Sequence, residues 1–197
     1  MRVEFFGPPG VGKSYARRLL LEADSRLDLH TACGSVKVLK DHTEFYNSCV
    51  VAQRMYQEHC VVPKRGATGP ANFRMRAARA AAAAVSNNII VFDESLLQAT
   101  LSFSYACRHN AENVAEFFSS VPLPDVAILC YAPSELVVAR NSGRARNWGS
   151  SALDCLPSVE LIKNMLTERN GVWFTLNTQK NEREITLHLI EGLKCFL

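Results

Sequence analysis

The chain lacks a long apolar run. No stretch approaches the roughly 20 residues that a bilayer-crossing helix needs, and the N-terminus leads straight into a strand pattern with no room for a signal peptide. It also lacks any C-x-x-C pair. The seven cysteines (Cys33, Cys49, Cys60, Cys107, Cys130, Cys155 and Cys195) are odd in number and scattered. That pattern argues against a disulfide framework and against a zinc site. They read as small core hydrophobes in a reducing compartment, so a cytoplasmic location is expected. Charge of one sign is scarce too: 22 basic against 19 acidic residues leave +3. Neither nucleic acid nor an anionic membrane is called for as partner, whereas a phosphate ligand suits the balance. There is no internal repeat and no long linker. A length of 197 residues then fits one domain over 1–197.

What the chain does have is the run Gly7-Pro8-Pro9-Gly10-Val11-Gly12-Lys13-Ser14. It satisfies G-x-x-x-x-G-K-[ST]. Residues 2–6 before it read as a short buried strand, and residues 13–24 read as a helix. Strand, glycine loop and helix form the context that gives this motif its meaning, a P-loop. Backbone N–H groups of such a loop turn inward around a polyphosphate, and the following helix adds a favourable dipole. Lys13 is expected to reach the β- and γ-phosphates and Ser14 to ligate Mg²⁺, with Tyr15 next in line at the nucleotide. ATP and Mg²⁺ are the expected cofactors.

Strand and helix patterns then alternate, which implies a parallel sheet covered on both faces. Residues 26–40 are ambiguous, with room for a short strand and then a substrate loop. Residues 41–60 have helical spacing, with Asp41 placed as a cap. Residues 61–70, with Pro63, Gly66, Gly69 and Pro70, read as a loop. The alanine-rich stretch 71–86 is a strong helix. A buried strand follows over 88–94, helices at 95–108 and 110–120, a strand at 126–131 and a helix from 133 to about 141. A helix at 157–169, a strand at 172–176 and a helix at 181–195 complete the pattern. Four clear parallel strands and a doubtful one give an expected five-stranded sheet.

Asp93 stands at the carboxyl end of a hydrophobic strand, the edge where ligands bind in open α/β folds. It is the candidate for the Mg²⁺ shell or for the acceptor. Glu94 is a second carboxylate, and either one could orient or deprotonate a nucleophile. Arg140, Arg144 and Arg146 are spaced R-x-x-x-R-x-R across a helix end and a glycine-containing loop. Guanidinium groups fork onto phosphate oxygens, and a loop that carries them can close over a triphosphate. Arg76 and Arg79 share a face of the alanine-rich helix, open to an acceptor phosphate or carboxylate but read here, with Arg74, as solvated. His30, His42, Lys64, Arg65 and Trp148 carry no firm assignment.

GPPGVGKS at 7–14, the acidic strand end at 93–94, and Ala132-Pro133-Ser134-Glu135 leading to Arg140, Arg144 and Arg146 resemble one family. They are similar to the P-loop kinases of nucleotides and related small molecules, the thymidylate and deoxynucleoside kinase group in particular. The resemblance covers the order of elements over nearly the whole chain. It implies a three-layer P-loop NTPase fold with sheet order 2-3-1-4-5, a short arginine-bearing lid at about 140–150, and ATP as donor. It also implies that the turn Asn177-Thr178-Gln179 lies near the adenine. One departure is clear: an arginine often follows the strand-three aspartate in that group, and here Glu94 does. The acceptor, a nucleoside, nucleotide or sugar, therefore stays open, and so does a homodimer. Two further readings remain beside the kinase: an AAA+ or helicase-type ATPase module, and a nucleotide-binding regulatory protein.

Overall fold

In a computed structural model the protein is described over residues 1–23, 27–28, 36–61, 63–142 and 152–196. Its described elements run β1 (Arg2–Phe6), α1 (Lys13–Ala23), β2 (Leu27–Asp28), α2 (Val36–Asp41), α3 (Thr43–His59) and α4 (Pro63–Ala84). They continue with β3 (Ile89–Phe92), α5 (Leu96–Ala106), α6 (Ala111–Ser119), β4 (Val126–Tyr131) and α7 (Ser134–Ser142). The last are α8 (Leu156–Glu168), β5 (Trp173–Asn177) and α9 (Glu182–Lys194). The strands form one parallel sheet, as the sequence pattern implies, in the order β2-β3-β1-β4-β5 that the resemblance implies.

Strand periodicity of two sorts the core onto two faces. Val3, Phe5, Val126, Ile128 and Cys130 pack with Ala16, Leu20, Ile185 and Leu189 of α1 and α9. Phe6, Ala127 and Leu129 turn the other way, onto α5 and α8 through Leu97, Leu101 and Ile162. Glu4 falls in the same alternation as Phe6 and so faces α5. A third cluster unites α3, α4, α5 and α6 around Phe45, Met55, Phe73, Phe103 and Phe117, with Phe103 stacked on Phe117 at 4.3 Å between ring centroids. Cys49, Cys107, Cys130 and Cys155 are buried free thiols, as small core residues are.

Two expectations need correction, and one open stretch gains its strand. The stretch 61–70 is no loop from Pro63 onward: α4 begins there and carries Pro70 within it. Pro63 opens the helix, where a missing N–H costs nothing. At Gly69 a Cβ would sit 2.2 Å from Tyr56 Cε1. The glycine there serves close helix packing and does not mark a turn. Asp41 does not cap α3. It ends α2, and the N-cap position belongs to His42, whose side chain makes no cap bond. The ambiguous stretch 26–40 contains β2 and the start of α2. No described helix is long and apolar enough to cross a membrane.

Candidate functional site

β1 delivers the chain to Gly7 at the carboxyl edge of the sheet, and the loop that follows depends on its glycines. Gly7, Gly10 and Gly12 have φ of 139°, 80° and 101°, a region that side chains with a Cβ rarely enter. A Cβ on Gly7 would lie 2.6 Å from the Cys130 carbonyl oxygen of β4, and one on Gly10 would lie 2.1 Å from Asn141 Nδ2. The loop is thus held from behind by neighbouring elements. Asn141 donates from Nδ2 to the Pro9 carbonyl at 2.8 Å, and Arg140 donates from Nη1 to the Val11 carbonyl at 3.2 Å. The Thr178 hydroxyl also donates to Val11 O. Inside the loop, Val11 N–H closes a turn onto Pro8 O at 3.4 Å.

Lys13 begins α1 and folds back over the loop. Its Nζ donates to the carbonyls of Gly7 and Pro8, both at 3.0 Å. Burial lowers the pKa of this ammonium. The thiol of Cys130 and the carboxylates of Glu94 and Asp93 pull it the other way. Ser14, one residue on, donates from Oγ to Asp93 Oδ2 at 2.7 Å. That contact joins the loop motif to the strand-end acid across 79 residues. Asp93 lies just past β3, whose ladder with β1 runs through Glu4↔Phe92.

Glu94 points elsewhere. It accepts from Arg76 Nη2 at 3.0 Å, and Arg76 Nη1 also reaches the Ser95 carbonyl at 3.5 Å. Arg76 is therefore not part of a solvated face: its side chain is 17% exposed, because α4 packs it against the acid turn. The glutamate that stands where an arginine was expected is met by an arginine from another helix.

Arg140 bonds the Thr178 carbonyl from Nη2 at 3.2 Å as well as Val11 O, so it ties the β5–α9 turn to the loop. Asn177 ends β5, and its Oδ1 accepts from Gln179 N–H at 2.9 Å, which shapes that turn. Tyr15 donates its hydroxyl to Glu182 at 2.9 Å, a bond that raises its pKa. Arg18 lies over the Tyr15 ring at 5.3 Å. Arg144, Arg146 and Trp148 lie outside the described residues, as does the rest of 143–151.

Ser14 Oγ and Asp93 Oδ2 make a pair of hard oxygen donors. Among the described residues no group of three or more His, Cys, Asp or Glu side chains gathers to hold a metal by itself. A small divalent cation that prefers oxygen and keeps several waters or phosphate oxygens fits such a sparse set; a softer metal does not.

Three residues of the site were not read from the sequence. Asn141 looked like part of the helix end before the arginines. Arg76 looked like surface. Glu4 passed as one letter in an apolar strand, although a lone acid in a buried strand is itself a signal.

No family model matches the chain, and no curated protein matches it by sequence. Solved structures do match. Deoxyadenosine kinase from M. mycoides with dCMP and dCDP aligns at TM-score 0.63 and 13% identity, covering 100% of both chains. The same enzyme with dATP aligns at 0.61 and 13%, covering 98% of this chain and 100% of the other, and with dCTP at 0.59 and 12%, covering 100% of both. The chain has the α/β fold of the deoxynucleoside kinases along its full length, at low sequence identity.

Proposed function

We propose that the protein transfers the γ-phosphoryl group of ATP to a hydroxyl of a small molecule, with a nucleoside as the first acceptor to test. The observation that carries this reading is the Ser14–Asp93 contact at 2.7 Å, next to a Lys13 ammonium at the head of the loop. Lys13 would exchange the Gly7 and Pro8 carbonyls for phosphate oxygens, a stronger partner for a buried cation. Ser14 and Asp93 would hold Mg²⁺, which when bound neutralises charge on the phosphates. Arg140 and Asn141 keep the loop in shape from behind. Asp93 or Glu94 would orient the acceptor hydroxyl and take its proton. Arg144 and Arg146 would close over the donor. The likeness to deoxynucleoside kinases favours a nucleoside over a sugar or a nucleotide. We take 1–197 as one kinase-like domain.

The test is acceptor-dependent ADP release with Mg²⁺ and a panel of deoxynucleosides, nucleotides and sugars. Release that requires a deoxynucleoside supports the reading. Release driven by a polymer or by assembly makes the protein a motor ATPase. Tight ATP binding with no turnover against any acceptor makes it a regulatory switch. Asp93→Asn should cut Mg²⁺-dependent turnover far more than metal-free ATP binding; an unchanged Mg²⁺ dependence would remove Asp93 from the metal site.

A further inference from the structure

Glu4 is a carboxylate in the middle of β1, 2% exposed, on the sheet face turned to α5. Its two oxygens accept three backbone N–H groups from the start of that helix. Ser95 N and Gln98 N lie 3.2 and 3.0 Å from Oε1, and Leu96 N lies 3.1 Å from Oε2. The helix does not cap itself. Ser95 holds the N-cap position and its side chain makes no cap bond. The first-turn N–H groups of a helix are orphaned without a partner. Here a carboxylate 91 residues away from the cap supplies one, and its charge also suits the helix dipole.

We propose that Glu4 is a positioning residue for the acid turn: by gripping the first turn of α5 from the strand that leads into the phosphate loop, it fixes Asp93 against Ser14. The chain makes the linkage short. The β1–β3 ladder controls the backbone only as far as Phe92. Asp93 and Glu94 follow outside both strand and helix, and the Glu4 bonds begin again at Ser95. Glu4 thus closes the far end of the turn whose near end the ladder holds. Arg76 from α4 holds the same turn through Glu94 and the Ser95 carbonyl. The other charged groups nearby are Arg2, which lines the same small cleft as Glu4, and Asp125, which pairs with Arg2 at 3.9 Å. Burial pushes the Glu4 carboxyl up to about 7, against the helix N–H groups and Arg76, which favour the charge. A protonated carboxyl is a weaker acceptor, so the grip loosens as pH falls through neutrality.

The inference rests on the nucleotide half of the proposed function and needs no acceptor. Calorimetric titration of ATP, with Mg²⁺ and with EDTA, compares the wild type with Glu4→Gln. The amide keeps the size but offers one acceptor oxygen and sets an NH₂ against helix N–H groups. Metal-free affinity should stay within about twofold, and the gain from Mg²⁺ should shrink about tenfold. An undiminished gain in a folded variant overturns the proposal. Failure of the wild type to bind ATP ends the phosphotransferase reading instead. A second measurement then decides the clamp in the wild type alone, whether or not the variant folds. In amide NMR against pH, Ser95, Leu96 and Gln98 should move through one midpoint near 7. Asp93 and Glu94, which make no hydrogen bond to Glu4, should follow at the same midpoint. If those two stay still while the other three titrate, Glu4 caps the helix without setting the acid turn, and the proposal fails.

Discussion

α5 and α9 begin in opposite ways. α9 caps itself: Asn181 Oδ1 accepts from Glu184 N–H at 3.0 Å, and Glu184 Oε2 accepts from Asn181 N–H at 3.4 Å. Four consecutive exposed residues close that box in solvent. α5 is capped by Glu4, from another strand and out of reach of water. The first cap is a local property of its sequence. The second exists only once the sheet has formed. The glycine loop at 7–14 repeats the contrast on a smaller scale. Lys13 bonds carbonyls five and six residues away, while Asn141 and Arg140 reach the loop across more than a hundred. Local devices can be lost singly. Assembled ones tie two elements together, so their loss is felt at both.

The largest effect is expected where a local device meets the chemistry. Lys13→Ala removes a charge that would strengthen its grip as phosphoryl transfer proceeds. By analogy with the loss of one preorganised donor, turnover should fall about 10²–10³-fold. Its fold should survive, because the lysine bonds only its own loop. ADP release under saturating acceptor measures it. Turnover within about threefold of wild type, under 1 kcal/mol of barrier, would end the catalytic role of Lys13.

Glu4 gives the next effect, and it carries a sign that no local cap shares. Its folded pKa of about 7 stands above the ordinary 4.5. The folded protein therefore holds this proton more tightly than the unfolded chain. The stability it contributes is full below about 4.5 and is lost as pH rises through about 7. The span corresponds to a change on the order of 3 kcal/mol. Urea denaturation of wild type and Glu4→Gln at pH 5 and pH 8 isolates it, since the glutamine variant lacks this titration. The stability of the wild type relative to Glu4→Gln should be higher at pH 5 than at pH 8. A relative stability that is flat, or that rises with pH, would mean that Glu4 is ionised throughout and that burial does not dominate.

Much of this was legible in the sequence, and the division follows the same line as the two caps. The P-loop at 7–14, the strand ending in Asp93, and the order of strands and helices are patterns of neighbouring residues, so they could be read directly. Asp93 falls beside the loop because strand ends and loops share one sheet edge, and there its Oδ2 accepts from Ser14. The Glu94–Arg76 pair was not readable: helical spacing gave Arg76 a face but could not say which neighbour that face would meet. Gly69 and Pro70 suggested a loop because turn residues signal backbone freedom. Packing against Tyr56 gave the glycine a different purpose. Glu4 was hidden for the same reason, since its partners are defined only by the register of β1 beside β3 and the start of α5.

Arg76→Gln should fall between the two kinds of device. The pair with Glu94 is half in solvent, with Glu94 59% exposed, so its direct worth to stability is small. The guanidinium also holds the Ser95 carbonyl, and its charge is one of the influences that favour ionised Glu4. The variant should therefore lower turnover several-fold while global stability moves by about 1 kcal/mol or less. It should also shift the Ser95, Leu96 and Gln98 amide titration to higher pH. An unshifted midpoint would uncouple Arg76 from Glu4 and leave it as a partner of Glu94 alone.

The smallest effect belongs to the self-capped helix, and it is the control for the rest. Asn181→Ala deletes the acceptor for Glu184 N–H and should cost about 1 kcal/mol. Water can reach the freed N–H, so the cost stays near the ordinary value of a cap and does not grow into that of a buried orphan. Asn181→Asp should restore most of it, because a carboxylate caps as well and suits the positive end of the helix. Neither substitution should alter the pH dependence between 5 and 8 or the Mg²⁺-dependent gain in ATP affinity. The Tyr15–Glu182 and Arg18–Glu182 contacts lie in the first turn of α9, beside the start of α1. If Asn181→Ala weakened ATP binding as strongly as Glu4→Gln weakens its Mg²⁺ dependence, the cap of α9 would be supporting the nucleotide through those contacts. The division between local and assembled devices would then fail at the helix that defined it.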